Sequence, residues 1–344
     1  MSKKSFFGLD IGYSTIKLVY LEHEKQSGKL LAYGMAPTPK GGMLSEADFD
    51  KQSLVEIIKR LCKETRVNTE YAVVSLPESQ VFTRIIEIPA VADKDLANAI
   101  QFEAEQYIPR SLSEVSFKWQ IINKGDKVKG TNTVVILVAA PLTLIQKYID
   151  ITRKAGLKII AMETDLIAQA RALVGNNPYS PTTMIVSIGS FNTDLSIIKG
   201  GSIYFTRAIA SGGTTMTKSI MSDFSLEEEQ AENYKRTYGL LEEHFEGKVF
   251  NSLKPTLELI TNEIRRAISF YQTKNPNDQV KRVVLSGGSA KLPGLIIYLA
   301  NSLGTEVQIG DAWFNIKKDK SIEAQLSEDA PIYSIAVGLA LKEV

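Results

Sequence analysis

One pattern occurs twice in this chain, and few folds accommodate it: an apolar run, a glycine turn bearing hydroxyls, and a second apolar run. The first copy spans residues 7–19 and turns at Gly12, Tyr13, Ser14 and Thr15. The second spans residues 183–198 and turns at Gly189, Ser190, Phe191, Asn192 and Thr193. Each reads as a β-hairpin wrapped around a loop the size of a phosphate. Gly12 has no Cβ, so the amides of Tyr13, Ser14 and Thr15 can face an anion, with two hydroxyls and the Lys17 ammonium beside it. Asp10 ends the first strand toward the same space, and Asp194 closes the second turn. A carboxylate beside a phosphate suits a Mg2+ ion lying between them with its water shell. In a single copy, an ordinary hairpin turn would use the same residues. Two copies about 180 residues apart, each opening an α/β layer, point instead to two similar domains facing one another across a cleft.

Other functions are excluded by composition. The 344 residues exceed what one core usually serves, so two domains, or one with a large insertion, are expected. Forty basic and 39 acidic side chains nearly cancel without a long block of either sign, so no nucleic acid is expected as a partner. Residues 1–5 lead directly into a strand with no leader-type apolar core, and no apolar run reaches membrane-spanning length; the expected location is the cytoplasm. Cys62 falls on the apolar stripe Leu54, Val55, Ile57, Ile58 and Leu61 of an expected helix and reads as buried filler. His23 and His244 have no ligand-type partner at helical spacing, which argues against a zinc site or a His-based triad.

Along the chain, residues 29–35 and 71–76 read as strands around a helix at 50–65. Residues 81–162 then follow the order β-α-β-β-α-β, a unit of its own inserted into the first domain. Near the end of its first helix stand Phe102, Glu103, Tyr107 and Ile108, either a binding surface or a helix packing its aromatic residues into the insertion's core. Residues 164–174 form an amphipathic helix stopped by Gly175, Asn176, Asn177 and Pro178. Gly212 and Gly213 open another helix and offer an anion site. Two helices follow at 226–237 and 249–274; on the second, Glu263 and Arg266 sit one turn apart, as solvated ion pairs commonly do. A strand at 282–286 ends in Gly287, Gly288 and Ser289 before the helix 295–303. That turn lets a planar or phosphorylated ligand approach the backbone, and a ligand-free tight turn would use the same residues. Small residues at 331–341 suit close packing on the helix at 164–174.

Taken in order, Asp10, Gly12 and Lys17, the second hairpin ending in Asp194, the turn from Leu285 to Ser289 and two small-residue helices resemble the five nucleotide motifs of the actin and sugar-kinase superfamily. Within it, residues 102–109, 138–141, 263–266 and 285–294 are similar in sequence and order to the type IV pilus assembly protein PilM family, over nearly the whole chain. The resemblance implies an α/β, actin-like two-domain fold of ribonuclease H-like halves with an inserted β-α-β-β-α-β subdomain. Its implied parts are domain 1A (residues 1–76, 164–180 and 331–344), inserted subdomain 1C (77–163), domain 2A (181–212 and 281–330) and helical subdomain 2B (213–280).

It also implies an ATP and Mg2+ site. Asp10, Gly12, Ser14, Thr15 and Lys17 match the first phosphate loop, and Gly189, Ser190, Asn192, Thr193 and Asp194 the second; Tyr13, through its amide, and Gly212 and Gly213, as the anion site read above, are expected to join them in binding the nucleotide. Gly287, Gly288 and Ser289 match the adenosine turn, and Glu263 and Arg266 the helix residues that reach it; Asp10 and Asp194 would hold the metal, through water. The implied partner is the cytoplasmic N-terminal peptide of PilN, docked on the insertion at Phe102, Glu103, Tyr107, Ile108 and Arg110 and its neighbouring domain. That would place the protein at the inner membrane through its partners, in the pilus assembly platform, where other platform components, motor proteins and further copies of itself could also meet it.

One residue departs from the pattern. Many superfamily members open the second phosphate loop with an Asp that helps hold the metal; here it is Ser187. Loss of that carboxylate weakens the ordering of an attacking water more than it weakens binding, so the expectation is an ATP-binding protein that is at most a slow ATPase. Two rivals share the fold. A membrane-associated, filament-forming division actin similar to FtsA ends in an amphipathic membrane helix, which the closing residues 339–344 do not supply. A small-molecule kinase needs a carboxylate base that the sequence does not nominate.

Overall fold

The glycine turns organise two sheets of the same design. β1 (Phe7–Ile11), buried along its whole length, pairs antiparallel with β2 (Thr15–Glu24), which pairs in turn with β3 (Ser27–Pro37). α1 (Asp48–Glu64) buries Leu54, Val55, Ile58 and Leu61 on this layer and leads to β4 (Tyr71–Leu76), parallel to β1. Cys62 is half-buried on the same helix, and burial pushes its thiol up to about 11, which suits filler rather than a nucleophile. The computed structural model describes residues 5–24, 27–126, 128–175, 177 and 179–343. Residues 1–4, and Asn176 and Pro178 of the expected helix stop, lie outside them.

The insertion follows as β5 (Phe82–Ile88), α2 (Asp93–Tyr107), β6 (Val115–Asn123) and β7 (Thr133–Pro141), with strand order β5-β7-β6. Its core is its own: Ile86, Ile88, Leu96, Ile100, Val135 and Leu137 meet between the sheet and α2. The next two elements, α3 (Leu142–Lys154) and β8 (Lys158–Thr164), appear in the expected order but belong to the first half. β8 pairs in parallel with β4, and α3 lays Leu144, Tyr148 and Ile151 into the core beneath β1 and α1. The insertion therefore closes near Pro141. Order along the chain does not encode which sheet edge a strand will complete, and β4 offers an edge that β8 fills.

After α4 (Asp165–Leu173) the second half repeats the first: β9 (Thr183–Ile188), β10 (Thr193–Lys199), β11 (Ser202–Ile209). Three helices come next, α5 (Gly213–Phe224), α6 (Glu228–Tyr238) and α7 (Lys248–Lys274), then β12 (Arg282–Ser286), α8 (Leu295–Leu303) and β13 (Glu306–Ile309). β14 (Ile316–Lys317), α9 (Glu323–Asp329) and α10 (Ser334–Ala340) complete the elements. The first sheet runs β14-β3-β2-β1-β4-β8 and the second β11-β10-β9-β12-β13. Apart from β14, each half has its third, second, first, fourth and fifth strands side by side, so the hairpins at β1 and β9 occupy equivalent places.

β14 and α10 return to the first half. β14 pairs with β3, and α10 packs on α4 and β1 so closely that a Cβ on Gly338 would strike the Ala168 carbonyl and one on Gly8 the Ala336 carbonyl. Between the halves lies a shared cluster that includes Leu166, Ala170, Ile185, Val284, Ala336 and Val337, and the insertion's Ile136 joins it. Among the described residues, no helix is long and apolar enough to cross a membrane.

Candidate functional site

The two glycine turns face each other across a cleft of about 930 Å³. Each turn closes in the same way. The Gly12 amide donates to the Thr15 carbonyl at 3.1 Å, and the Gly189 amide to the Asn192 carbonyl at 2.9 Å. The hydroxyls of Ser14 and Ser190 hydrogen-bond across the gap, and the Tyr13 ring meets Phe191 edge-on with centroids 5.3 Å apart. A Cβ on Gly12 would come within 2.8 Å of the Thr15 carbonyl, so the turn needs a residue without one.

The cross-strand pair beneath each turn differs between the halves. In the first, Asp10 opposes Lys17; in the equivalent place of the second, Ser187 opposes Asp194. Lys17 donates from Nζ to Asp10 Oδ2 at 3.0 Å, both residues buried at the floor of the cleft, and the Ser75 hydroxyl donates to Asp10 Oδ1 at 3.4 Å. Ser187 accepts at Oγ from Gln169 Nε2 at 2.8 Å, within a buried network that includes Ser286 and Ser334. Asp194 Oδ1 is buried with no hydrogen-bond partner. Burial, with the Glu78 carboxyl nearby, pushes the Asp194 carboxyl up to about 7. Burial also raises Asp165, at the start of α4, above the ordinary carboxylate range, with Asp194 and Asp10 adding to it. Glu78, in the short turn before β5, is pushed up to about 8 by burial and by Asp165. Sequence reasoning missed Asp165, Gln169 and Glu78, which only the approach of α4 and of the root of the insertion brings under the cleft.

The far end of the cleft is built by α5, α6 and the turn after β12. The Gly213 and Thr214 amides donate to the Gly189 and Ser190 carbonyls, both at 2.8 Å, which docks the start of α5 on the second loop. Gly287 has φ +82°, a conformation that favours glycine, and a Cβ there would meet the Ile188 carbonyl at 2.5 Å; around Gly288 the space is open. From α6, Glu232 accepts from Lys235 Nζ at 2.6 Å and from the Thr217 hydroxyl at 2.6 Å. Burial opposes its charge, but those hydrogen bonds hold its carboxyl down at about 2.

Of the residues singled out from the sequence, Asp10, Gly12, Tyr13, Ser14, Thr15, Lys17, Gly189, Ser190, Asn192, Asp194, Gly213, Gly287, Gly288 and Ser289 line the cleft. Two lie just behind it: Thr193 is fully buried and donates to the Ser211 carbonyl, and Gly212 packs on the Gly189 and Ser190 carbonyls. Glu263 and Arg266 are not brought to it. Glu263 pairs with Arg207 and Arg266, both at 2.7 Å, on a different side of the second half. The helix that lines the far end of the cleft instead is α6, through Glu228, Glu229, Glu232, Lys235 and Arg236. Its charged pattern resembles any solvated helix, so the sequence carried no signal for it. Among the described residues no cluster of three or more His, Cys, Asp and Glu side chains could hold a metal ion unaided.

A second groove, of about 480 Å³, lies between the insertion and the first half. Ile108 and Arg110 line it together with Met43, Phe82, Leu144 and Lys147. Phe102, Glu103 and Tyr107 do not: Phe102 is 66% exposed on the outer side of α2, and the Tyr107 ring carries the Arg84 guanidinium 4.5 Å above it.

This architecture has relatives. The solved PilM-PilN type IV pilus biogenesis complex contains a chain 27% identical to this one, with a TM-score of 0.84 over 99% of this chain and all of that one. MreB5 of Spiroplasma citri, solved with AMPPNP bound, shares the fold at 13% identity and a TM-score of 0.54, over 98% of this chain and 95% of that one. The cell division protein FtsA of Streptococcus pneumoniae is 21% identical over 351 residues, 90% of this chain and 76% of that protein. The sequence model described as type IV pilus assembly protein PilM matches residues 8–344. With an actin-like fold and that match over almost its whole length, the chain belongs to the type IV pilus assembly protein PilM family.

Proposed function

We propose that the protein binds Mg-ATP between its two halves and docks the cytoplasmic N-terminal tail of PilN, serving as a scaffold of the pilus assembly platform at the inner membrane. One observation carries the nucleotide reading: two glycine turns of the same geometry, with the Ser14 and Ser190 hydroxyls hydrogen-bonded across the gap, line one cleft from both sides. Lys17 lines the cleft and would meet the phosphates, and Glu232 and Arg236 of α6, which line its other end, would receive ribose and base. AMPPNP in MreB5 supports the nucleotide class.

A magnesium ion fits the carboxylates here, because Asp194 leaves one buried oxygen bare and shares the cleft with Asp10. Bound there through water, it would neutralise phosphate charge. With Ser187 in place of a carboxylate opposite Asp194, the cleft orders an attacking water poorly, and hydrolysis is slow or absent.

In the domain terms used above, 1A with α3, β8 and β14 added corresponds to the first half, 2A without β14 together with 2B, the helical layer α5 to α7, to the second, and 1C to the insertion up to Pro141. The groove between 1C and 1A is the proposed seat of the PilN tail. It has apolar walls at Met43, Phe82, Ile108 and Leu144, a cation at Arg110 and the Lys147–Glu46 ion pair, and the PilM-PilN complex supports the partner.

Calorimetry tests both parts. Mg-ATP is expected to bind saturably, and at least tenfold more weakly to Lys17→Ala; a PilN-tail peptide is expected to bind with a micromolar Kd and to lose affinity in Ile108→Asp. A protein that takes up neither ligand would refute the reading.

A further inference from the structure

The cleft and the groove are not separate. A short turn, Glu78–Gln80, forms the wall between them: Gln80 lines both spaces, Pro77 faces the cleft, and Ser79 faces the groove. No side chain caps this turn, and both of its outward side chains are tied to one atom of the first phosphate loop. Gln80 Nε2 donates to Tyr13 Oη at 3.1 Å, and Ser79 Oγ lies 3.3 Å from the same oxygen. The Tyr13 ring, on the other side, rests against Phe191 of the second phosphate loop. Tyr13 therefore touches the backbone that would hold a phosphate, the opposing loop of the other half, and the wall of the groove.

We propose that Tyr13 couples the two sites, so that a nucleotide in the cleft strengthens the binding of a peptide in the groove, and the reverse. This inference rests on the nucleotide and PilN readings above. A phosphate seated on the amides of residues 13–15 fixes the loop, and the fixed loop fixes the Tyr13 ring between Phe191 and the turn. The Glu78–Gln80 wall is then already ordered when the peptide arrives, and the second ligand bears less of the ordering cost. Because coupling is reciprocal, the peptide tightens nucleotide binding by the same factor. Tyr13 acts here as a positioning residue: its backbone faces the phosphate, and its phenol acts only on the turn.

The readout is a ratio: the Kd of a PilN-tail peptide without nucleotide, divided by its Kd with saturating Mg-AMPPNP. The expected ratio for the unaltered protein is about 5 or more. In Tyr13→Phe, which keeps the ring on Phe191 and removes both hydrogen bonds to the turn, the ratio falls toward one, whatever happens to either affinity alone. Ser79→Ala combined with Gln80→Met breaks the link from its other end and guards against a Tyr13→Phe protein that no longer takes nucleotide. Peptide binding with a ratio near one in the unaltered protein would overturn the coupling while leaving the PilN reading standing. A ratio above one that survives in both variants would overturn the assignment to Tyr13. No peptide binding under either condition would remove the PilN reading and this inference together.

Discussion

Glu78→Gln should make the protein more stable at pH 8 and leave it unchanged at pH 5. Glu78 is buried at the root of the insertion, where its Oε2 accepts from the Thr83 hydroxyl at 3.0 Å, and burial together with Asp165 pushes its carboxyl from 4.5 up to about 8. The folded protein therefore holds a proton on Glu78 over a range where the unfolded chain has released it. A raised acid contributes stability that is complete below the unfolded value and is lost as pH rises through the folded one. Each pH unit in that window is worth about 1.4 kcal/mol, so between pH 5 and pH 8 the native protein should lose on the order of 4 kcal/mol relative to a neutral side chain of the same shape. Glutamine is that side chain: it can keep the Thr83 hydrogen bond and never ionises. The assay is urea unfolding of both proteins, free of nucleotide and with metal chelated, at half-unit steps from pH 5 to pH 9. The stability difference should open steadily in favour of Glu78→Gln and level off above pH 8. A difference that stays constant to within about 1 kcal/mol across the range would show that Glu78 ionises normally in the fold, and the reasoning from burial would fail.

Two further predictions concern α6 and the seating of α4 and α10 on the first half. Glu232→Ala should weaken ATP binding by about tenfold or more, the loss expected of a hydrogen bond to a charged group, while Glu263→Ala leaves it unchanged; equal losses in the two variants would contradict the placement of α6 at the ligand end. Glu163 is buried between Arg171, at 2.6 and 2.8 Å, and Lys342 at 2.7 Å, and Arg171 also donates to the Gly338 carbonyl at 2.5 Å. Arg171→Ala should cost about 3–5 kcal/mol, read as a lowered urea midpoint, because it leaves a buried carboxylate half paired; a loss below about 1 kcal/mol would show that Lys342 suffices.

Much of this fold was legible because it is written in local terms. A glycine turn between two apolar runs announces a hairpin wherever it falls, so β1 with β2 and β9 with β10 could be read, and their repetition predicted the facing halves. The strand Tyr71–Leu76 and the helices Asp93–Tyr107 and Leu295–Leu303 were bounded by proline, glycine or a change of period, and the structure places them where those signals fall. Partner choice was not legible. β8 has the composition of any half-buried strand, and only the unfilled edge of β4 sends it to the first half and not to the insertion. The same limit applied to the far end of the cleft. Glu263 and Arg266 have the spacing of a pair, and they do form one, but spacing within a helix says nothing about which helix faces the cleft. Asp165, Gln169 and Glu78 acquire their unusual surroundings from three separate elements meeting beneath the loops.

The return of β14 and α10 to the first half has a consequence for biosynthesis. β1, β2, β3 and β4 leave the ribosome early, but β3 lacks its outer neighbour and β1 lacks the helix that covers it until residues 316–340 have been made. At about 5–20 residues per second, the wait between residue 76 and residue 340 is on the order of tens of seconds. For that time the nascent first half exposes the apolar faces of Phe6, Val73 and Ala168 that Leu339 will later cover. The first half is thus begun before the second and finished after it, so a stop codon just ahead of α10 would disable the half whose strands were made long before.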